Sequence, residues 1–516
     1  MNIKELVVIV CLALLTTWGI EYFLFNKKGD KSTGLQSGQS FVVPKEQHSD
    51  VLKQLLFDVD LVKTKKVTTP VITEVDTPLM RASFSSNGAV LERLEFKKEL
   101  GGVPREISTI FPLVSDGNPE KLCFLVALEK HTPWEYTLVS HTDTVETHEI
   151  TYTAHTHEAT LTKTFTVFKE QYKIGLTLTV SPHHGSAVQA RIFIPTPIMP
   201  DIASTDTKAG IISEERNTIT KIQLSRLTSD KAWFAPTLVG LDNRYFAHAL
   251  IQDPAQFTQR AYFKVFSPQD TVAIVEGPVV NQEQAWSLSF YMGPKEEKVM
   301  RVVDPRLEHT LDYAGWLAPI SNLLLKLLTF LYGYVYNYGL AIIILTLLIK
   351  LLLLPFTLKG AKSMKKMSEM QRKLQYIQNK YKDDQEQLNR ERAELLRQQG
   401  MPGLSGCLPL LLQIPIFIAL SRVLSSAIEL YQAPFGLWIK DLSQADPYYI
   451  LPILIALTML VQAATMDAKQ RTQFIVMACV FGALSINFST GLCLYIFVST
   501  VLGVLQTAIQ HKLKVA

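Results

Sequence analysis

The chain has 516 residues, 47% of them hydrophobic and 19% charged, with a formal net charge of +4 and a mean hydropathy of +0.15. That balance is unusually apolar for a soluble protein, yet the charged fraction requires a soluble part, and the length accommodates two or three domains. The charge is too mild to argue for nucleic acid, and the five cysteines (Cys11, Cys123, Cys407, Cys479, Cys493) have neither zinc-site nor disulfide-framework spacing.

Residues 1–25 carry an apolar run to Phe25 with no small-residue cleavage site after it, which predicts an uncleaved first transmembrane helix. Residues 26–50 are polar and read as a linker. From 51 to 305 short alternating segments rich in Thr, Val and aromatic residues predict a β-sandwich domain. The clearest is Ala159 to Ser181, two strands around a turn near Glu170 and Gln171. Leu161, Lys163, Phe165 and Val167 take one parity there; Thr162, Thr164 and Thr166 take the other.

Residues 306–330 read as an interfacial amphipathic helix with Trp316 at its head, and the tyrosines from Tyr332 to Tyr338 read as an aromatic belt. Transmembrane helices are expected at 331–357, 403–427, 449–466, 473–488 and 490–510, six with the first. Between them, 358–402 predicts a helical hairpin: Met364, Met367, Leu374, Ile377 and Tyr381 at helical spacing, a break at Lys382 to Asp384, then Leu388, Leu395 and Leu396. A loop at 428–448 and a tail at 511–516 complete the chain. Lysine and arginine crowd 358–402, Lys469 and Arg471 sit in the short loop near 467–471, and Lys512 and Lys514 in the tail, whereas 428–448 has only Lys440. That asymmetry puts the hairpin and both termini in the cytoplasm and the β domain outside; Lys27, Lys28 and Lys31 beyond the first span run against it.

The functional question is posed by LTLLIKLLLLPF, Leu345 to Phe356, because a charge at a span's centre costs roughly 2.5–3.5 kcal/mol on insertion scales. Lys350 either snorkels to the inner headgroups or sits in a wet cavity. Thr346 shares its face one turn away, Gln413 lies mid-span in the third span and Tyr495 in the sixth. Three helices offering polar groups fit a cavity, or simple interhelical hydrogen bonds. Short spans, the fifth running only from Phe474 to Asn487, thin the bilayer around them. The hairpin reads equally as a solvated charged coiled coil or as a docking platform. His155 and His157 share a strand face but find no third ligand, and Walker loops and nucleophile elbows are absent, so no catalytic residue, metal or cofactor is expected.

Several stretches, read together, resemble the YidC-type membrane protein insertases, the Gram-negative form of the YidC/Oxa/Albino family. They are NYGLAIIILTLLIKLLLLPFT, GCLPLLLQIPIFIALSRVL, QAPFGLWIKDLSQADPYYILPIL and STGLCLYIFVSTVLGVLQ, with GPK and LDYAGW before them, and the resemblance covers nearly the whole chain. It implies a polytopic α-helical membrane protein of the bacterial inner membrane, six transmembrane helices with five forming the core. A large periplasmic β-supersandwich domain and a cytoplasmic helical hairpin accompany that core. The implied activity is insertion and folding of inner-membrane proteins, alone or with the Sec translocon, through a hydrophilic groove open to cytoplasm and lipid. Implied partners are nascent membrane proteins, Sec components, ribosome and targeting factors at the hairpin, and membrane lipids.

Lys350 falls where the family usually has the groove arginine, keeping the charge but losing the forked guanidinium; Gln413, Thr346 and Tyr495 match groove-lining positions. Arg372 stands where a proline is common, which favours a more continuous helix. Ala478 and Ser489 also replace prolines, Ile496 replaces a second tyrosine, and the tail HKLKVA is short for a ribosome-binding arm. Two other readings compete. A small-solute transporter predicts internal repeats, and none is seen. A binding protein or carbohydrate enzyme anchored by helices predicts clustered carboxylates in 51–305 and leaves the intramembrane polar groups unexplained.

Overall fold

The computed structural model describes residues 69–515 except 101–102, 111–118, 129–131, 184, 200–209, 216–217, 224–231, 268–269, 312–316, 383, 400–407 and 465–467. The segments expected as a first transmembrane helix (1–25) and linker (26–50) lie outside the described residues. Two compact units result, a β unit within Gly34–Ala314 and a helical unit within Gly315–Ala516.

The β unit holds antiparallel sheets of four, five and nine strands. At the heart of the largest, strands Ala159–Phe168 and Lys173–Pro182 pair around a turn at 169–172. Both strands alternate residue by residue between buried and half-buried. Period two therefore sets the sandwich: Leu161, Phe165 and Val167 go inward, while outward threonines pair across strands, Thr151 with Thr164 at 3.1 Å. The smaller sheets lie against this one. Phe84 of the four-stranded sheet meets Phe165 ring to ring at 4.7 Å. His248 of the large sheet bonds the Pro195 carbonyl of the five-stranded sheet at 3.0 Å.

Lys163 occupies an inward position and is fully buried. Its ammonium donates to the carbonyls of Gly88 (2.7 Å), Ala89 (3.1 Å) and Phe124 (2.9 Å). All three acceptor residues have positive φ (75°, 43° and 64°), so the lysine ties down the tightest turns that face it. Helix α1 (Glu297–Val303) follows the last strand of the unit.

The helical unit comprises α2 (Ala318–Val335), α3 (Tyr338–Lys380), α4 (Gln385–Gln399), α5 (Leu408–Ser426), α6 (Ile450–Ala464), α7 (Ala468–Ser485) and α8 (Thr490–Val515). Among the described residues, Ala318–Val335, Tyr338–Leu358 and Thr490–Ile509 are long and apolar enough to cross a membrane; Gln413–Ser426, Ile450–Ala464 and Phe474–Ser485 are shorter apolar helices. At 1.5 Å per residue the last spans about 18 Å, against a hydrocarbon core of about 30 Å.

Two expected boundaries move. The interfacial helix was expected to stop at 330, but α2 continues to Val335 and ends where Tyr336 turns left-handed (φ 50°). Asn337 then caps α3, its Oδ1 accepting from the Leu340 amide at 3.1 Å and its Nδ2 donating to the Phe435 carbonyl at 2.9 Å. The second shift is at 357: α3 passes unbroken through Pro355 and Arg372 to Lys380, so one helix carries both the apolar span and the first charged arm. Tyr381 and Lys382 turn away from the helix, and the Asp384 amide donates to the Tyr381 carbonyl at 3.2 Å before α4 begins. Between α5 and α6, Asp446 accepts from the Tyr448 and Leu451 amides and the Trp438 indole, fixing the start of α6.

Candidate functional site

The site is built on how α3 and α8 meet. Near their first turns a Cβ on Gly491 would stand 3.4 Å from Ile342 Cδ1. Near the far end of both apolar stretches, Gln506 Nε2 donates to Thr357 Oγ1 at 3.0 Å. The second pair is 149 residues apart in sequence, and so is the first (491 − 342 = 149). Two helices that keep one offset over about four turns run parallel and in register. That offset sets Thr346 level with Tyr495 and Lys350 level with Ser499.

Both helices then carry polar side chains at i, i+4 and i+11, which share one face of a helix. On α3 these are Thr346, Lys350 and Thr357; on α8 they are Tyr495, Ser499 and Gln506. Helix α5 adds a third wall. Gln413 Nε2 donates to the Tyr495 hydroxyl at 2.8 Å, with the Ser499 side chain beside the same hydroxyl. Tyr495 is only 2% exposed and Phe417 flanks its ring at 6.5 Å. The Thr346 hydroxyl is also buried and bonds back to the Ile342 carbonyl at 2.6 Å. Lys350 is half-buried and, among the described residues, has no hydrogen bond or ion pair. The opposite face of α3 is exposed leucine: Leu347, Leu348, Leu351 and Leu352.

Of the four residues singled out from sequence, Gln413 and Tyr495 touch, Thr346 stands level with them, and Lys350 sits one turn further along with no bond to the other three. Sequence reasoning missed Ser499, Thr357 and Gln506, although the repeated spacing on two spans was there to read. It also missed a second seam, between α6 and α8, where Thr458 meets Thr500 at 3.2 Å.

The β unit offers less. His155 bonds Thr160 at 3.1 Å, and no metal-ligand group of three His, Cys, Asp or Glu forms among the described residues. A cavity of about 560 Å³ lies beside Thr237, Gln252, Thr258 and Arg306. Its one cation is spoken for: Arg306 bonds Asp304, Glu214 and the Ile251 carbonyl.

A bundle of apolar helices with an internal polar seam, preceded in the chain by a β-sandwich, defines a class of membrane protein with a large extramembrane domain. Sequence comparison makes the class specific. Residues 330–515 match the family described as 60Kd inner membrane protein, and residues 72–327 match the YidC periplasmic domain. A membrane protein insertase YidC from Geobacter sulfurreducens is 31% identical over 451 residues, 84% of each chain. Another from Geobacter sp. strain M21 is 33% identical over 373 residues, 68% of each chain. A crystal structure of an active YidC insertase with its first transmembrane domain resolved is 20% identical, with a TM-score of 0.39, covering 89% of this chain and 96% of its own. The chain belongs to the YidC family of membrane protein insertases. The resemblance drawn from its motifs is thereby confirmed.

Proposed function

We propose that the protein inserts integral membrane proteins into the bacterial inner membrane and helps them fold, with Lys350 as the charge that receives the client. Family membership supports the insertase over the small-solute transporter. The observation that carries the role of Lys350 is its place: a cation without a partner among the described residues, on the face of α3 that bears Thr346 and Thr357 rather than on the exposed leucine face. It stands about 18 Å along the helix from Tyr338 and about 12 Å from Leu358. A half-buried cation with no counter-charge among the described residues is placed to take one from a client.

In this mechanism the client's acidic or polar tail enters a hydrated groove between α3, α5 and α8 and is held by Lys350. Attraction between unit charges grows several-fold as the effective dielectric falls from that of water to about 20. Gln413, Tyr495, Ser499 and Thr346 give the passing chain hydrogen-bond partners. The client's apolar segment moves along the lipid-facing sides of α5 and α7, where short apolar helices thin the bilayer and shorten the tail's path. Burial of that segment in lipid drives the step at roughly 25 cal/mol per Å². No nucleotide is used.

The arrangement we propose has six transmembrane helices, counting residues 1–25, with α2 lying at the interface. The β unit is periplasmic, and both termini lie in the cytoplasm. The end of α3 and α4 form a cytoplasmic hairpin that docks ribosome and targeting factors, and the Sec translocon is the membrane partner. The test is reconstitution in liposomes with single-span clients that differ only in tail charge. Lys350→Ala lowers insertion of acidic-tailed clients about tenfold and of neutral-tailed ones little, while Lys350→Arg retains both. Equal insertion of all clients by the alanine variant rejects the charge role.

A further inference from the structure

The seam described above is fixed at one end by packing and at the other by a single polar contact. Gly491 lets α8 approach Ile342, and its amide bonds the Leu442 carbonyl at 2.8 Å. At the far end stands the bond between Thr357 and Gln506. We infer that this bond is a positioning contact: it holds α3 in register with α8, and so stations Lys350 in the seam and sets the direction in which the charged arm of α3 leaves it. The inference deepens the function proposed above and rests on it for the role of Lys350.

Three features of the chain call for such a contact at that place. Pro355 lies inside α3 two residues earlier. It has no amide to give the Leu351 carbonyl, and its ring crowds the preceding turn, so the helix is least stiff there. Thr357 answers within the same turn. Its hydroxyl donates to the Leu354 carbonyl at 2.9 Å and accepts from Gln506 at 3.0 Å, tying the weakened turn to itself and to α8 at once. Beyond it α3 continues to Lys380; of its described side chains past 368, Met370 is buried, Leu374 and Ile377 are half-buried and the others, Tyr376 among them, are exposed. An arm of some 23 residues, about 34 Å, pivots on whatever holds its base. Lys350 lies between these two contacts, eight residues past Ile342 and seven before Thr357 (350 − 342 = 8; 357 − 350 = 7).

Neither residue bears a charge, and neither is placed in contact with the client. Their part is played through α3. A carboxamide and a hydroxyl between helices, in apolar surroundings, exchange poorly for lipid, which makes the bond selective for one register.

The experiment uses the full chain in lipid nanodiscs, with spin labels at Tyr376 on the arm and Val461 on the exposed side of α6, in a background whose five native cysteines are replaced by alanine. Thr357→Val is nearly isosteric and removes both bonds; Gln506→Leu removes only the partner. Each is expected to widen the label–label distance distribution at least twofold, the double variant no further than either single one, and Thr357→Ser not at all. Insertion of acidic-tailed clients falls several-fold in the first two variants and is retained by the serine. Unchanged widths in both single variants overturn the inference. Widening supports it whatever insertion does; if Lys350→Ala then also inserts every client normally, the charge role alone is lost and the positioning contact stands.

Discussion

The two units each place a lysine in an apolar pattern and treat it in opposite ways. Lys163 sits in LTKTF on a strand and Lys350 in LLIKLL on a helix; Leu161 and Phe165 beside the first are buried, as are Thr346 and Leu353 near the second. In the β unit the ammonium of Lys163 finds three carbonyls to receive it, and Tyr136 lies 4.9 Å beneath it. Among the described residues Lys350 receives nothing. The satisfied cation ties together turns of its own domain, whereas the one without a described partner is the charge we propose receives the client.

The largest expected effect follows from breaking the first of them. Lys163→Met keeps the stem's volume and removes the ammonium, leaving the Gly88, Ala89 and Phe124 carbonyls buried without it. Stranded acceptors and released positive-φ turns are expected to destabilise the β unit by about 3–5 kcal/mol. The measurement is hydrogen exchange across strand Ala159–Phe168 in the full-length chain. Protection equal to that of the unaltered protein sinks the claim.

A second buried base in the β unit sharpens the contrast, because it is held neutral. His248 is fully buried between the Pro195 carbonyl and Thr109, and burial pushes its pKa down from 6.5 to about 4. Between those values the unfolded chain binds a proton that the folded one refuses, so stability falls as pH drops from about 6.5 to about 4 and is flat above 6.5. The full shift corresponds to about 3 kcal/mol. Protection of strand Phe246–Gln252 is expected to follow that curve, and His248→Gln, which keeps a donor for Pro195 but cannot titrate, to flatten it. An unaltered slope in the glutamine variant places the titration elsewhere.

What could be read from the sequence divides along the same line. Alternation put Lys163 on the parity of Leu161, Phe165 and Val167, since period two is indifferent to what it carries. Its acceptors lie 75, 74 and 39 residues away, beyond the reach of any local pattern. Likewise the apolar stretches of the helical unit were legible by run length, but the boundary at 330 was set five residues early. The tyrosine cluster read as a belt, while the true break depends on Asn337 reaching Phe435, 98 residues on. The span was set to end at 357 and the hairpin to begin at 358, but one helix carries both, and the amide bond lost at Pro355 does not stop it. At the site, the residue types were legible and the pairing was not. Gln413 and Tyr495 meet across 82 residues, and only the register of α3 on α8 shows Ser499 level with Lys350.

The smallest effect on stability is expected where the effect on function is greatest. Lys350→Met makes the same chemical change as Lys163→Met in the other unit, but it strands no described acceptor and relieves a charge in an apolar span. Its unfolding midpoint in detergent, followed by hydrogen exchange across Tyr338–Leu358, is expected within about 1 kcal/mol of the unaltered protein or slightly above it. Insertion of acidic-tailed clients is expected to fall as it does for the alanine variant. A clear loss of stability, of the size expected at Lys163, would mean that Lys350 already has its partner within the fold. The two lysines would then be alike, and the charge that receives the client would have to be sought elsewhere along the seam.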